Sequence, residues 1–251
     1  ASTTRPWWPS CYLILDTCYF VVGMAGHPNH AMSQSSPLSL KCPKCGQEQE
    51  FIVWSSINVA LNPEKKNELR IGALNRFTCE KCEETHEVNY TVLYHDPDHK
   101  FMVWLFGDAD DEKMRGLMVG DFLKGYRMRL VESRNQLVEK SHVLEAGLDD
   151  RILEMFKFVT RVSQSNVPEG ELLFAGTGTG QNDEKELQFA VVSETETKFI
   201  GAQMEAFEKY ADVFFPIVDL EPLEDMKWAK IDQAYARDII ERRMPDLLGR
   251  A

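Results

Sequence analysis

Two Cys-x-x-Cys pairs are the residues of this sequence best suited to chemistry. Cys42 and Cys45 enclose Pro-Lys, and Cys79 and Cys82 enclose Glu-Lys. Four thiolates can complete a tetrahedral shell around one zinc ion, which then has no open position. Because the motif occurs twice, and no βαβ unit surrounds either pair, the pattern favours one zinc site formed by Cys42, Cys45, Cys79 and Cys82.

A redox dithiol is the alternative interpretation of the same pairs. One thiol of a Cys-x-x-Cys pair can have a lowered pKa and act as a nucleophile towards a disulfide. Either pair alone would suffice for that chemistry, so the second pair would be left without a role. The sequence therefore favours metal binding and leaves a dithiol reductase open.

Short motifs around the cysteines carry a further indication. They occur at residues 40–46, 57–59, 62–64, 77–82, 93–98 and 148–151. Together they resemble the CpXC domain over about residues 38–165. The second cysteine pair departs from the family pattern, because Glu80 stands where proline is usual and Glu83 where glycine is common. The resemblance implies a metal-binding domain of bacterial proteins and specifies no reaction.

His95 and His99 flank an Asp-Pro-Asp sequence between two strand-like runs. Proline presets φ and aspartate bonds to the local backbone, so a hairpin turn explains these residues. A His-x-x-x-His pair can also bind a metal, but the best-known pairs of that spacing lie on helices. We therefore predict a turn, with His95 and His99 as the candidate bases if the protein is an enzyme.

Four carboxylates follow Gly107 in close succession: Asp108, Asp110, Asp111 and Glu112. Acidic residues complement the dipole at a helix N-terminus, and apolar residues follow at helical spacing up to Leu123. Oxygen donors at this density also suit a calcium-like cation, although the calcium-loop signature is absent. The pattern favours a helix start and leaves a cation site as the alternative.

The elements that must position these residues indicate an α+β fold. Ser133 and Gln136 form a capping box that opens a helix ending at Gly147, and a second helix begins at Asp149 or Asp150. We predict a zinc-ribbon-like antiparallel β module with covering helices. Strand chemistry in this module is found at residues 51–54, 87–94, 101–106 and 126–132.

A smaller α+β module is predicted to follow in residues 170–251. A boundary is indicated by the polar and turn residues near 163–170. The glycine run 176–180 lacks the lysine of a phosphate-binding loop, so we interpret it as a hairpin loop between two strands. Helices are expected at residues 199–210 and 227–243.

The first 31 residues differ from the rest of the chain. They contain Trp7-Trp8 and the two further cysteines Cys11 and Cys18. A secretory signal needs a basic start and an unbroken apolar core, whereas Asp16 interrupts this one. We interpret residues 1–31 as an extension upstream of a natural start at Met32. If ordered, its apolar side chains should cover a groove on the main body or on a partner.

The net charge of the chain argues against some classes of binding partner. The net charge is −12, with acidic residues along the whole chain, so the phosphates of nucleic acid would be repelled. No apolar stretch reaches the roughly 18 residues of a membrane span, and paired cysteines suit the reducing cytoplasm. We expect a protein or small-molecule partner, or a second copy of the chain held through exposed aromatic residues.

Three functions fit these observations, and we favour them in the following order. The first is a zinc-stabilised interaction or scaffold protein. The second is a hydrolase of activated esters or lactones, in which a calcium-like cation at residues 108–112 activates water and His95 or His99 acts as base. The third is a dithiol reductase.

Overall fold

A computed structural model describes residues 12–14, 33–105, 123–163, 167–180 and 183–248. These residues form an α+β fold, as predicted. They divide into two compact units. The cysteine unit comprises the described residues up to Val138 together with Asp225–Trp228, and the C-terminal unit comprises Glu139–Glu224 and the described residues from Ala229 onwards.

The cysteine unit is built on two sheets. The five-stranded sheet has the order β2-β3-β6-β7-β8, and the three-stranded sheet has the order β1-β5-β4. Its elements are β1 (Tyr12–Ile14), β2 (Gln34–Lys41), β3 (Glu48–Asn58), α1 (Pro63–Arg70), β4 (Arg76–Thr78), β5 (Thr85–Asn89), β6 (Val92–Asp96), β7 (Phe101–Leu105) and β8 (Arg127–Val131).

The two hairpins that carry the cysteines are antiparallel, as predicted, but the larger sheet is mixed. β2 pairs with β3 and β4 pairs with β5 in antiparallel register, whereas β3 pairs with β6 in parallel. A parallel pair needs a long crossover connection. Here α1 and the β4–β5 hairpin form that connection, so the crossover itself carries the second cysteine pair.

The C-terminal end of α1 is held by a half-buried arginine. Arg134 Nη2 donates to the carbonyl oxygens of Leu69 at 2.8 Å and Arg70 at 2.9 Å. The last carbonyls of a helix lack intrahelical donors, and a cation there also complements the helix dipole. Arg134 thereby fixes the point at which the chain leaves α1 towards the second hairpin.

The C-terminal unit packs helices against an antiparallel sheet of order β11-β10-β9. Its core contains Phe156 from α3, Phe174 and Phe189 from the sheet, and Phe207 and Phe214 from α4. The elements are α2 (Arg134–Glu145, whose second half belongs to this unit), α3 (Asp150–Ser163), β9 (Glu171–Thr179), β10 (Lys185–Val192), β11 (Thr197–Gln203), α4 (Met204–Val218) and α5 (Gln233–Leu248).

Five charged residues are buried between α2 and α3, and we call them the buried ion network. Lys157 Nζ lies 2.7 Å from Glu139 Oε1, and Lys140 Nζ lies 2.9 Å from Glu154 Oε1. Buried charges require this kind of mutual pairing, because water cannot solvate them. The network consists of Glu139, Lys140, Asp150, Glu154 and Lys157.

Four predicted elements differ from the structure, and one of them, the helix expected at residues 227–243, begins only at Gln233. The predicted strand at residues 87–94 is two strands, β5 and β6, which belong to different sheets. Most of the glycine run lies inside β9, and the connection to β10 follows it. A Cβ at Gly178 would meet the far end of the exposed Gln188 side chain, which would have to move aside. Phe199 lies on β11 and the following helix begins at Met204. In β11, half-buried Ile200 and Ala202 alternate with exposed residues, as expected for a strand with one covered face.

Candidate metal centre

The two cysteine pairs form the tips of two hairpins with the same backbone hydrogen bonds. In the first tip, Cys42 N–H donates to Gln47 O at 2.8 Å and Gly46 N–H donates to Cys42 O at 2.9 Å. In the second, Cys79 N–H donates to Glu84 O at 2.9 Å, and Glu83 N–H donates to Cys79 O at 2.9 Å. Each tip therefore presents its two sulfurs from the same kind of turn.

Glu83 of the second tip stands at the turn position where the CpXC pattern commonly has glycine. Gly46 has φ +73°, and Glu83, at the equivalent position, has φ +58°. The left-handed region suits glycine, and another residue there costs about 1–2 kcal/mol. The second tip thus adopts the geometry of the first despite its glutamate.

We expect Glu83→Gly to raise the free energy of unfolding by up to about 1 kcal/mol, because relief of the left-handed strain exceeds the added freedom of the unfolded chain. Gly46→Ala is the matched control and should lower it by about 1 kcal/mol, since a Cβ at Gly46 meets only Lys41 Cε at 3.6 Å and the cost is conformational. Urea denaturation measures both. If Glu83→Gly instead lowers the free energy of unfolding, the glutamate side chain stabilises the fold by more than its left-handed backbone conformation costs.

The four sulfurs lie together. Cys42 Sγ is 3.7 Å from Cys82 Sγ, and Cys45 Sγ is 3.5 Å from Cys79 Sγ, so each short distance joins one hairpin to the other. All four sulfurs lie within 4.8 Å of one another. A zinc ion with Zn–S bonds of about 2.3 Å requires sulfurs about 3.8 Å apart in a tetrahedron. The residues therefore fit a four-thiolate metal site.

The cysteines are part of a small apolar cluster. Cys42 and Cys79 are buried and pack with Leu40, Phe77 and Val88, whereas Cys45 and Cys82 are half-buried. A cluster of this size buries little apolar surface, and small modules commonly depend on a metal for that reason. The site is thus placed where a metal would complete the core of the two hairpins.

Comparison with protein families agrees with this geometry. Residues 40–157 match the family described as "CpXC protein". This region is a CpXC domain. Comparisons with curated proteins and with solved structures give no match. The matched residues contain both cysteine pairs of the CpXC domain.

The thiols of the CpXC domain do not ionise alike. Burial opposes ionisation of Cys79, but backbone N–H groups of Cys82 and Lys81 and the thiols of Cys45 and Cys82 donate to it, and the pKa of Cys79 falls to about 7. A lowered pKa provides one ready thiolate at neutral pH.

Cys82 behaves in the opposite way. The backbone N–H of Glu84 favours its thiolate, but burial and hydrogen bonds with the other three cysteines raise the pKa of Cys82 to about 12. Four thiolates this close repel one another unless a cation lies between them. Metal binding must therefore displace protons, and metal affinity should fall as the pH is lowered.

Two side chains of the first hairpin, Gln49 and Lys44, make polar contacts with the second hairpin. Gln49 Nε2 donates to Thr78 O at 2.9 Å, and Gln49 Oε1 accepts from Glu80 N–H at 2.8 Å, so one side chain of β3 holds the backbone on both sides of Cys79. Lys44 Nζ lies 2.5 Å from Glu84 Oε2, which lowers the pKa of Glu84. The Gln49 bonds position a ligand, whereas the exposed ion pair adds little stability.

His86 of β5 reaches the centre from the second hairpin. Its Nε2 lies 3.8 Å from Cys42 Sγ, and its ring stacks on Phe77 with 6.2 Å between centroids. Within the described part of the chain, its buried Nδ1 has no hydrogen-bond partner. We did not predict a role for His86 from the sequence. The available signal was its position two residues before Val88, on the inward face of β5.

The predicted turn at residues 95–99 is confirmed, since β6 and β7 pair in antiparallel register around it. His95 is buried with Nε2 3.4 Å from Tyr126 Oη, and burial lowers the pKa of His95 despite the nearby Asp96. His99 Nδ1 lies 2.9 Å from Asp96 Oδ2. The turn is held by these contacts, and a catalytic role for either histidine stays a prediction.

The acidic run of Asp108, Asp110, Asp111 and Glu112 lies outside the described residues, as do Cys11 and Cys18. The calcium-like site therefore stays a prediction. Among the residues that the structure describes, the four-cysteine cluster is the one group of three or more potential ligands close enough to hold a metal ion. In the same residues, no helix combines the length and the apolar character required to cross a membrane.

Proposed function

We propose that this protein is a zinc-stabilised interaction module, with Cys42, Cys45, Cys79 and Cys82 as the zinc ligands. The observation that carries the proposal is the convergence of four sulfurs within 4.8 Å. Four soft thiolates match zinc, and a shell of four protein ligands leaves no position for substrate or water. The metal would supply folding energy by joining the two hairpins.

Exposed apolar side chains of the C-terminal unit support an interaction role. Phe199 on β11 is 73% exposed, and Val213 and Phe215 on α4 are also exposed. Large apolar groups left in water are typical of surfaces that contact a partner. We propose a protein partner, with a second copy of the chain as the first to test, and a cytoplasmic location where the thiols stay reduced. We propose residues 38–165 as the CpXC-like domain and 170–251 as a C-terminal α+β module, although α3 of the former packs in the core of the C-terminal unit.

Elemental analysis of the purified protein tests the proposed function. We expect one zinc ion per chain, released when four thiols are titrated with a mercurial reagent. Sedimentation of wild type and Phe199→Ser then reports self-association, which the substitution should weaken. A metal-free protein in which Cys42, Cys45, Cys79 and Cys82 are all reduced would contradict the zinc assignment, and a wild type that stays monomeric at high concentration would contradict self-association.

A dithiol reductase, third in the order taken from the sequence, is the alternative that the described residues favour, because the pKa of Cys79 is lowered to about 7. A reductase must cycle between a dithiol and a disulfide, and bound zinc would block that cycle. We expect no reduction of insulin disulfides by the zinc-loaded protein. Turnover that persists in the zinc-loaded form, and is lost on Cys79→Ser, would favour the reductase over the interaction module.

A further inference from the structure

We infer that His86 is a positioning residue for the metal centre, and that its ring N–H donates to the sulfur of Cys42. The inference rests on the proposed metal site and adds a fifth side chain to it. His86 Nε2 lies 3.8 Å from Cys42 Sγ, within reach of a hydrogen bond to sulfur. Because Cys42 belongs to the first hairpin and His86 to the second, this contact joins the two hairpins.

The contact with Cys42 Sγ determines which ring nitrogen of His86 carries the proton. A metal-bound thiolate has no proton to give, so Cys42 can only accept and Nε2 must be the donor. Nδ1 is then left as an acceptor, and in the described residues nothing donates to this buried atom. The Cys42 sulfur is therefore the polar partner that the structure gives to this ring.

Packing alone does not account for a histidine at this position. His86 is 6% exposed and stacks on Phe77, a contact that phenylalanine would make without burying an unpaired nitrogen. What phenylalanine lacks is the N–H. The residue type thus points to the sulfur contact.

The environment of Cys42 explains why a donor is needed. Zinc with four thiolates carries two net negative charges, and hydrogen bonds to the sulfurs spread that charge. Water can reach the half-buried Cys45 and Cys82, and backbone N–H groups donate to the buried Cys79. Cys42 is 1% exposed, so a side-chain donor takes the place that water cannot occupy.

The test compares His86→Phe with His86→Gln in the zinc and cobalt forms of the full chain. Phenylalanine keeps the stack on Phe77 without a donor, whereas glutamine places an amide N–H near the position of Nε2. We expect His86→Phe to transfer metal to a chromophoric chelator about 10–100 times faster than wild type, as for other outer-shell partners of metal ligands. His86→Gln should stay within about threefold of wild type, because a donor is retained.

The absorption of the cobalt form separates a donor role from a packing role. Loss of a hydrogen bond to a thiolate shifts the sulfur-to-cobalt charge-transfer band, so we expect a shift in His86→Phe that His86→Gln reverses. Nitrogen NMR of the metal-loaded wild type, labelled at histidine, should show the proton on Nε2 of His86. This last measurement needs no variant and stands even if His86→Phe fails to fold.

The outcomes separate the two proposals. A wild type that binds neither zinc nor cobalt would overturn the proposed function and this inference with it. A wild type that binds cobalt, with His86→Phe matching it in release rate and spectrum, would overturn the inference alone. The same holds if His86→Gln releases metal as fast as His86→Phe, or if Nδ1 carries the proton.

Discussion

Replacing Cys42 with serine is expected to unfold the two cysteine hairpins. The substitution removes a buried ligand, and the three remaining thiolates cannot close the shell. Structural zinc sites contribute on the order of 10 kcal/mol in isolated zinc-finger peptides, so loss of most of that free energy is comparable to the whole stability of a typical small domain. Amide hydrogen exchange should show lost protection in residues 40–47 and 76–89.

The C-terminal unit provides the internal control for this prediction. Backbone amides of β9, β10 and β11 belong to the other compact unit, and their protection should survive the substitution. A chelator should reproduce the effect in wild type and add nothing to Cys42→Ser. Full protection of both hairpins in the variant would show that the cysteines are not a structural metal site.

Replacing Lys140 with methionine is expected to cost about 3–5 kcal/mol of stability, because it leaves buried carboxylates without their cation. Lys140 Nζ lies 2.9 Å from Glu154 Oε1 and 3.6 Å from Asp150 Oδ2, and all three side chains are buried. Lys209→Met is the matched control. Lys209 also forms an ion pair, with Glu205, but both side chains are exposed, so urea denaturation should detect no change.

The buried ion network also makes the free energy of unfolding depend on pH in the acid range. Burial opposes ionisation of Glu154, but Lys140, Lys157 and Gln233 outweigh it and lower the pKa of Glu154 below its ordinary value of 4.5. The resulting stabilisation is present above pH 4.5 and is lost as the pH falls through the lower pKa of the folded state. We expect Glu154→Gln to be less stable than wild type at neutral pH, with a smaller further loss on acidification.

Glu139 should behave in the opposite way. Burial raises the pKa of Glu139 despite the nearby Lys157, so its contribution is largest at low pH and declines as the pH rises. Glu139→Gln also leaves two carboxylates opposite two lysines in the network. It should therefore cost less than Glu154→Gln at neutral pH, and equal losses would argue against this account of the network.

The features that were predictable from the sequence are the local ones. The Cys-x-x-Cys spacing is a property of one turn, and both pairs lie in such turns, with Glu83 adopting the left-handed conformation of Gly46. The capping box at Ser133 is equally local, and Gln136 N–H donates to Ser133 Oγ at 3.2 Å. Such signals need no knowledge of what packs against them.

The features that were missed depend on distant residues. The burial of Glu139 and Lys157 requires α2 and α3 to pack together, and no charge pattern within α3 indicates it. The role of Gln49 depends on Thr78 and Glu80, which are about 30 residues away in the sequence. The glycine run is predicted to be a loop, because its strand character depends on pairing with β10, which the run itself does not indicate.

Glu139 has a consequence for the edge of the C-terminal sheet. β9 is an edge strand, and Glu139 Oε1 accepts the backbone N–H of Phe174 on that strand at 2.7 Å. An edge strand with free N–H groups is a template on which the strand of another molecule can add. The carboxylate occupies one of these groups from within the chain. We therefore expect Glu139 to hinder strand addition at β9, and cells that make Glu139→Leu should accumulate more insoluble protein than cells that make Glu139→Gln.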